Sequence, residues 1–332
     1  MPATEDRCYV DPTEAKPPVP SCPACGGSLK GSEEVFDTWM DSSISPLYNS
    51  FWLRDDEKFK AIYPMSVRPQ AHEIIRTWTF YTILRCLQIT GERPWGETMI
   101  SGFIMAPDGT PMHTSLGNVV DPIPLLEQYG ADSMRYFAAT CTLGVDQAFQ
   151  VKEVVHGQKL CNKLWNVCKF VGLSVKGKPA VAEGDLKPAD LWILSKYSRT
   201  VEAATKAMED CQFDAALRAL EQFLWHEFAD HYLEMAKHRM ASGDKGVQLA
   251  LYTVSLGVLR MLAPIMPHIA EEIYHTHFIK EEPWLSITTA PWPEPVLFDA
   301  PDEERGDLLR DVIAGVRTWK SDNRMALNAE LA

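Results

Sequence analysis

Ile74-Ile75-Arg76-Thr77-Trp78-Thr79-Phe80-Tyr81-Thr82-Ile83-Leu84, followed by Thr98-Met99-Ile100-Ser101-Gly102-Phe103-Ile104-Met105, sets the class of the fold. The first stretch reads as a mostly buried helix. The second has the composition of a strand and is ended by the turn Pro107-Asp108-Gly109. Asp121-Pro122 opens the next helix, because proline is favoured at the first helical position. Gly130-Ala131-Asp132 then leads into a helix over Ser133–Thr140. Helices and strands alternating in this way across residues 37–150 predict an α/β layer with parallel strands.

On the N-terminal side, residues 1–36 carry Pro12, Pro17, Pro18, Pro20 and Pro23 and the pair Gly26-Gly27. Such a segment is irregular and resembles the end of a module more than the start of one. On the C-terminal side, residues 151–278 read as helical throughout. Val201, Ala204, Met208, Phe213, Leu217, Leu220, Leu224, Phe228 and Leu233 recur mostly every three to five residues. Leu249, Tyr252, Leu256, Leu259, Leu262, Met266, Ile269 and Ile273 do the same, with Pro264 and Pro267 breaking the run. Broad apolar faces of this kind pack into a helical bundle. Residues 283–305 are rich in proline and acid and read as a linker. A last helix, Glu304–Lys320, gathers Leu308, Leu309, Val312, Ile313 and Val316 on one side.

The 332 residues suit about two domains at roughly 100–200 residues each. No apolar run reaches the ~18 residues of a membrane span. The acidic start Met1-Pro2-Ala3-Thr4-Glu5-Asp6 does not have the form of a secretory signal, so a cytoplasmic location is the expectation. The eight cysteines are scattered, and Cys86, Cys141, Cys161 and Cys168 fall inside apolar helical patterns, where a free thiol behaves as a small hydrophobe. No disulfide framework is implied. The net charge of −13 disfavours nucleic acid over the whole surface, so any RNA contact must come from local basic patches.

Four stretches carry a resemblance. They are Val35-Phe36-Asp37-Thr38-Trp39-Met40-Asp41-Ser42-Ser43; Arg68-Pro69-Gln70-Ala71-His72-Glu73-Ile74-Ile75-Arg76-Thr77-Trp78; Ser115-Leu116-Gly117-Asn118-Val119-Val120-Asp121-Pro122 with Tyr129-Gly130-Ala131-Asp132; and Asn162-Lys163-Leu164-Trp165-Asn166 with Phe213-Asp214-Ala215-Ala216-Leu217 and Trp225-His226-Glu227-Phe228. In this order and spacing they resemble the class I valine–tRNA ligases of the archaeal-type branch, over essentially the whole chain. The resemblance implies the second half of a Rossmann-like nucleotide-binding α/β domain, followed by an all-α bundle. Residues 1–36 correspond to the end of the family's editing insertion, 37–150 to the second catalytic half with the connecting module, and 151–290 to the anticodon-binding bundle. Residues 291–332 correspond to a linker and the start of a C-terminal region, cut short. The family's His-Ile-Gly-His signature does not occur in the sequence.

The implied reaction joins valine to the α-phosphate of ATP, with magnesium, and then passes it to valine tRNA. Charge builds on phosphate oxygens in the transition state, so catalysis rests on positioned cations and donors. The family's Lys-Met-Ser-Lys-Ser loop aligns with Pro111-Met112-His113-Thr114-Ser115, and both lysines are absent. Losing one such contact costs on the order of 2.7–4 kcal/mol. The stretch is then either a weakened ATP loop or a plain surface turn. The family's Gly-x-Asp, which binds nucleotide, aligns with Ala71-His72-Glu73, so Ala71 and Glu73 are the ATP candidates, with an added methyl and a longer acid. Trp39, Ile74 and Trp78 are implied to line the valine pocket, and Ile74 and Trp78 share a helix face four residues apart. Without the resemblance, these three read as core residues.

Cys22-Pro23-Ala24-Cys25-Gly26-Gly27 has the form of half a zinc knuckle. Structural zinc takes four ligands, Cys8 is a third candidate, and the alternative is a turn without metal. The tRNA candidates are Lys159, Lys163 and Lys169, which with Lys152 fall near one helix face, and Arg317 and Lys320, which with Arg310 and Arg324 do so on the last helix. Phosphate contacts of this sort are salt-sensitive, and a solvated face has the same composition. The resemblance implies a chain inactive alone that works with an N-terminal synthetase half. The alternatives are a non-catalytic tRNA-binding paralogue and a repurposed enzyme that activates a small molecule.

Overall fold

A computed structural model describes residues 15–17, 19–31, 33–34, 37–175, 177–180, 185–326 and 329. The chain divides into two compact units, residues 1–100 and 101–332.

The first unit holds helices α1 (Thr38–Ser42), α2 (Ser45–Asn49) and α3 (Asp56–Ile62), strand β1 (Met65–Ala71), helix α4 (Phe80–Thr90) and strand β2 (Trp95–Ser101, which ends at the division). β1 and β2 are neighbours in one sheet, with Met65 N–H donating to Pro94 O at 3.0 Å. Between β1 and α4 the backbone passes through a 3-10 turn, His72–Ile74, and a π-helical segment, Ile75–Thr79. The buried residues Leu47, Tyr63 and Cys86 anchor a small core, flanked by Ile44, Trp52 and Phe59.

Two readings of this region are corrected. The helix through Ile74–Leu84 is not mostly buried: Ile75, Phe80 and Leu84 are exposed, Phe80 by 55 %. The run is apolar on every side, whereas the unit's core is small and covers one side of it. The strand expected over Thr98–Met105 is two strands. β2 stops at Ser101, and β3 (Ile104–Met105) pairs in parallel with β4 (Gln147–Ala148) in a different sheet. The break falls at Gly102, where a Cβ would lie 1.8 Å from the Val145 carbonyl oxygen, so only glycine lets the two backbones approach.

In the second unit, α5 (Pro122–Tyr129) starts as its sequence requires: Asp121 Oδ1 accepts from Ile123 N–H at 3.0 Å and Pro122 occupies the first turn. Gly130, at φ 82° and ψ 160°, turns the chain into α6 (Ala131–Thr140) through a conformation that side chains disfavour. Asp132, buried, receives the N–H groups of His268 and Ile269, and Arg135 donates to the carbonyls of Ile265 and Pro264, each at 2.8 Å. The Gly130-Ala131-Asp132 stretch therefore caps a bundle helix 136 residues away.

The bundle comprises α7 (Val151–Ser174), α8 (Pro188–Glu209), α9 (Phe213–Gln222), α10 (Leu233–Ala241), α11 (Lys245–Leu262), α12 (Pro267–His277) and α13 (Ala300–Asp322). Its core takes in the expected apolar positions; Leu217, Leu220, Leu224, Phe228, Leu256, Leu259, Leu262, Met266 and Ile273 are buried. Each such side chain contributes roughly 1.5–3 kcal/mol. The first long helix ends at Ser174 and the next begins at Pro188, and Pro264 and Pro267 separate α11 from α12 as anticipated. Between α9 and α10 lies a π-helical segment, Phe223–Tyr232. Phe223 and Phe228, five residues apart, stack at 6.3 Å, a spacing that suits the wider turn of i→i+5 bonding.

The last helix inverts its sequence pattern. α13 packs on α8 through polar groups: Glu303 accepts from Arg199 at 2.7 Å and from Ser195, and Asp307 accepts from Lys196 and the Trp192 indole. Gly306 sits on the Trp192 ring. Leu308, Leu309, Val312 and Val316 face outward, Leu308 being 67 % exposed.

Candidate functional site

The first unit brings the valine-pocket candidates onto adjoining elements. Asp37 caps α1, its Oδ1 accepting from Trp39 N–H at 3.0 Å. Arg85 on α4 donates to Met40 O and, at 3.1 Å, to Ser43 Oγ, which fixes α1 against α4. α1 also packs on the π-helical segment that carries Trp78. Trp39 is 42 % exposed, and Ile74 and Trp78 are half-buried, so none of the three belongs to the unit's closed core.

Ala71 ends β1, and Glu73 stands exposed in the turn that follows. In open α/β sheets, ligands bind outside the carboxyl ends of strands, where a strand passes to a helix. β1 also directs two polar residues toward the π-helical segment. Gln70 Oε1 accepts from Thr79 Oγ at 2.6 Å, and the Arg68 guanidinium lies 3.7 Å from the centre of the Trp78 ring and 5.7 Å from that of Trp95. Arg68 had no assigned role in the sequence. The available signal was a charged residue two positions before Gln70, on the same side of a strand.

In the second unit, the candidate ATP loop is organised by Asn118. Its Oδ1 accepts from His113 N–H at 2.8 Å, and its Nδ2 donates to Pro111 O at 2.9 Å and Thr110 Oγ at 3.0 Å. Thr114–Leu116 forms a 3-10 turn closed by Gly117 in the left-handed region. Met112 packs beside Phe137, Phe149 and Val154, while Pro111, His113, Thr114 and Ser115 are exposed. The sequence contains no lysine or arginine between Arg93 and Arg135, so this loop and its flanks carry no fixed cation.

Among the tRNA candidates, Lys159 and Lys169 are exposed on α7. Lys163 donates to Asp230 Oδ1 at 2.8 Å and lies 5.2 Å from the Trp225 ring. On α13, Arg317 donates to Asp230 O at 2.9 Å, and Lys320, 8 % exposed, donates to Ala329 O. These last two cations therefore serve contacts within the chain. Beside α7, a cavity of about 550 Å³ is lined by His156, Arg218, Glu221, Trp225 and His226. Burial raises the pKa of the Glu227 carboxyl and lowers that of His231, which Arg317 and Arg310 lower further.

Cys22 and Cys25 lie on a tight knuckle: Cys22 N–H donates to Gly27 O at 2.9 Å and Gly26 N–H to Cys22 O at 2.8 Å. The backbone N–H groups of Ala24 and Cys25 lower the Cys22 pKa by favouring its thiolate. Cys8 lies outside the described residues. Among the described residues no group of three or more potential metal ligands assembles. No described helix is long and apolar enough to cross a membrane.

Comparison with known proteins accounts for both units. Residues 19–150 match the family of class I tRNA synthetases (I, L, M and V), and residues 190–332 match the anticodon-binding domain of tRNA ligase. These two matches make the chain similar to class I tRNA synthetases. Along its whole length it is 39 % identical to the valine–tRNA ligase of Pyrococcus furiosus, and along 99 % of it 40 % identical to that of Methanothermobacter thermautotrophicus. It is thus homologous to valine–tRNA ligases, and it spans 39 % and 37 % of the length of those two relatives. In fold, a leucyl-tRNA synthetase of Agrobacterium radiobacter K84, solved with tRNA and LeuAMS, superposes with a TM-score of 0.63 at 20 % identity, covering 91 % of this chain and 41 % of its own. A Mycobacterium tuberculosis methionyl-tRNA synthetase with methionyl-adenylate gives 0.60 at 22 % identity, covering 78 % and 54 %.

Proposed function

We propose that this chain supplies the second half of the catalytic α/β domain and the anticodon-binding bundle of a cytoplasmic valine–tRNA ligase. Its substrates are valine, ATP with magnesium, and valine tRNA, and it acts together with the remaining N-terminal part of a synthetase. The observation that carries this is identity of about 40 % to valine–tRNA ligases across the chain. Residues 37–150 take the catalytic role and 151–290 the tRNA role. Trp39, Ile74 and Trp78 receive the valine side chain; Ala71 and Glu73 stand where the nucleotide approaches. Lys159, Lys163 and Lys169 supply phosphate contacts to tRNA.

The loop Pro111–Ser115 offers hydroxyls and one imidazole in place of lysines, so it stabilises phosphate charge weakly. The chain alone therefore gives no valine-dependent ATP–pyrophosphate exchange. Exchange by the purified chain above a no-enzyme control refutes this. Addition of a fragment carrying the His-Ile-Gly-His half is expected to produce exchange. A second reading, a non-catalytic tRNA-binding relative, is favoured by the same missing cations and by Ala71. It predicts tRNA binding without exchange even when that fragment is present.

A further inference from the structure

We propose that Arg68 forms a carboxylate-binding subsite beside the valine pocket, its guanidinium engaging the α-carboxylate of the amino acid. The assignment rests on the reading of Trp39, Ile74 and Trp78 as that pocket.

Three observations carry it. First, β1 turns Arg68 and Gln70 toward the π-helical segment, where a strand packed on a helix ordinarily places apolar side chains. Thr79 donates to Gln70 Oε1, whereas among the described residues no acid pairs with the Arg68 cation. Second, its Nε is buried without a hydrogen-bond partner, and no Asp or Glu acts on it among the described residues; the thiol of Cys86 is the titratable group that does. Burial pulls its pKa down, which reports the desolvation of its charge. Guanidinium stays protonated in proteins, so the cost is not relieved by loss of the proton. Third, the stack on Trp78, at 3.7 Å, fixes the guanidinium plane. A fixed fork of N–H donors matches a carboxylate in two-point geometry. The same ring that holds the guanidinium is a wall of the proposed valine pocket. A carboxylate separated from the side chain by only Cα therefore falls within reach of the cation when the side chain occupies that pocket.

The full chain is titrated calorimetrically with valine and with valinol, whose hydroxymethyl group replaces the carboxylate. Arg68→Met is expected to weaken valine binding by about 10–100-fold, the usual range for a charge-assisted hydrogen bond, and to leave valinol within about twofold. Arg68→Lys, which retains charge but not the fork, recovers part of the valine affinity. An equal loss for both ligands, or no loss for valine, overturns the subsite while leaving the pocket standing. If the unaltered chain takes up neither ligand, the pocket reading itself falls and the subsite with it. Circular dichroism checks folding. Should Arg68→Met not fold, the valine-to-valinol preference of Arg68→Lys decides: a shift toward valinol supports the subsite, and an unchanged preference overturns it.

Discussion

Replacing Arg239 with methionine tests how the bundle is held together at one end. Arg239 forks onto Asp190 through Nη1 and Nη2 at 2.9 and 2.7 Å, and onto Asp244 at 3.1 and 3.0 Å. Asp190 is fully buried and also receives the Tyr232 hydroxyl at 2.7 Å and the Lys187 N–H at 2.9 Å. The three acidic and basic groups thereby join the starts of α8 and α11 to the end of α10. Removing one partner of a buried ion pair costs about 3–5 kcal/mol, because the other charge remains desolvated. Two donors stay on Asp190 after the substitution, which places the expected loss near the lower end, about 3 kcal/mol. For a unit of this size that corresponds to a fall in Tm of roughly 6–12 °C. Urea unfolding followed by far-ultraviolet circular dichroism measures it. The double variant Asp190→Asn with Arg239→Met, which removes both charges, should lose less than Arg239→Met alone. A loss below about 1 kcal/mol for Arg239→Met, or a larger loss for the double variant, refutes the reasoning.

Three further outcomes are expected. Burial disfavours the ionised form of Asp244, but the bonds from Arg239 and Lys187 outweigh it and hold its pKa at about 2, below an unfolded value near 3.8. Its contribution of about 2 kcal/mol is therefore complete above pH 4 and is lost as pH falls through about 2; acid unfolding of Arg239→Met should show a weaker dependence in that window. Gly306→Ala places a Cβ 2.1 Å from Trp192 Cγ and should destabilise the α13–α8 contact by about 1–3 kcal/mol, read as faster amide exchange in α13 with α11 unchanged. Replacing Lys159 and Lys169 with alanine should reduce the salt dependence of valine tRNA binding, the slope of log K against log salt falling by about one to two; an unchanged slope in gel shifts removes both lysines from the interface.

The helices of the bundle were legible because their apolar residues recur with the period of the helix, and a helix closes its hydrogen bonds locally. Asp121-Pro122 and the proline break after Leu262 were legible for the same local reason. The candidate site was legible in part. Trp39, Ile74 and Trp78 stood out through resemblance, whereas the contact between α1 and the π-helical segment came only with the structure. Arg68 did not stand out, since its environment depends on where β1 lies against Trp78. The missing lysines of the Pro111–Ser115 loop were plain from residue types, whereas the role of Asn118 in shaping that loop needed coordinates.

By itself the sequence determined the likeness to valine–tRNA ligases and the helical character of the second unit, since residue order and periodicity are properties of the chain alone. Tertiary structure decided the rest. It split the expected strand at Gly102, because a close approach from Val145 is set by a partner more than forty residues on. It turned the apolar side of α13 outward, because Glu303 and Asp307 found Arg199 and Lys196 on α8. Pairings between distant residues depend on which surfaces meet, and no local pattern encodes that meeting.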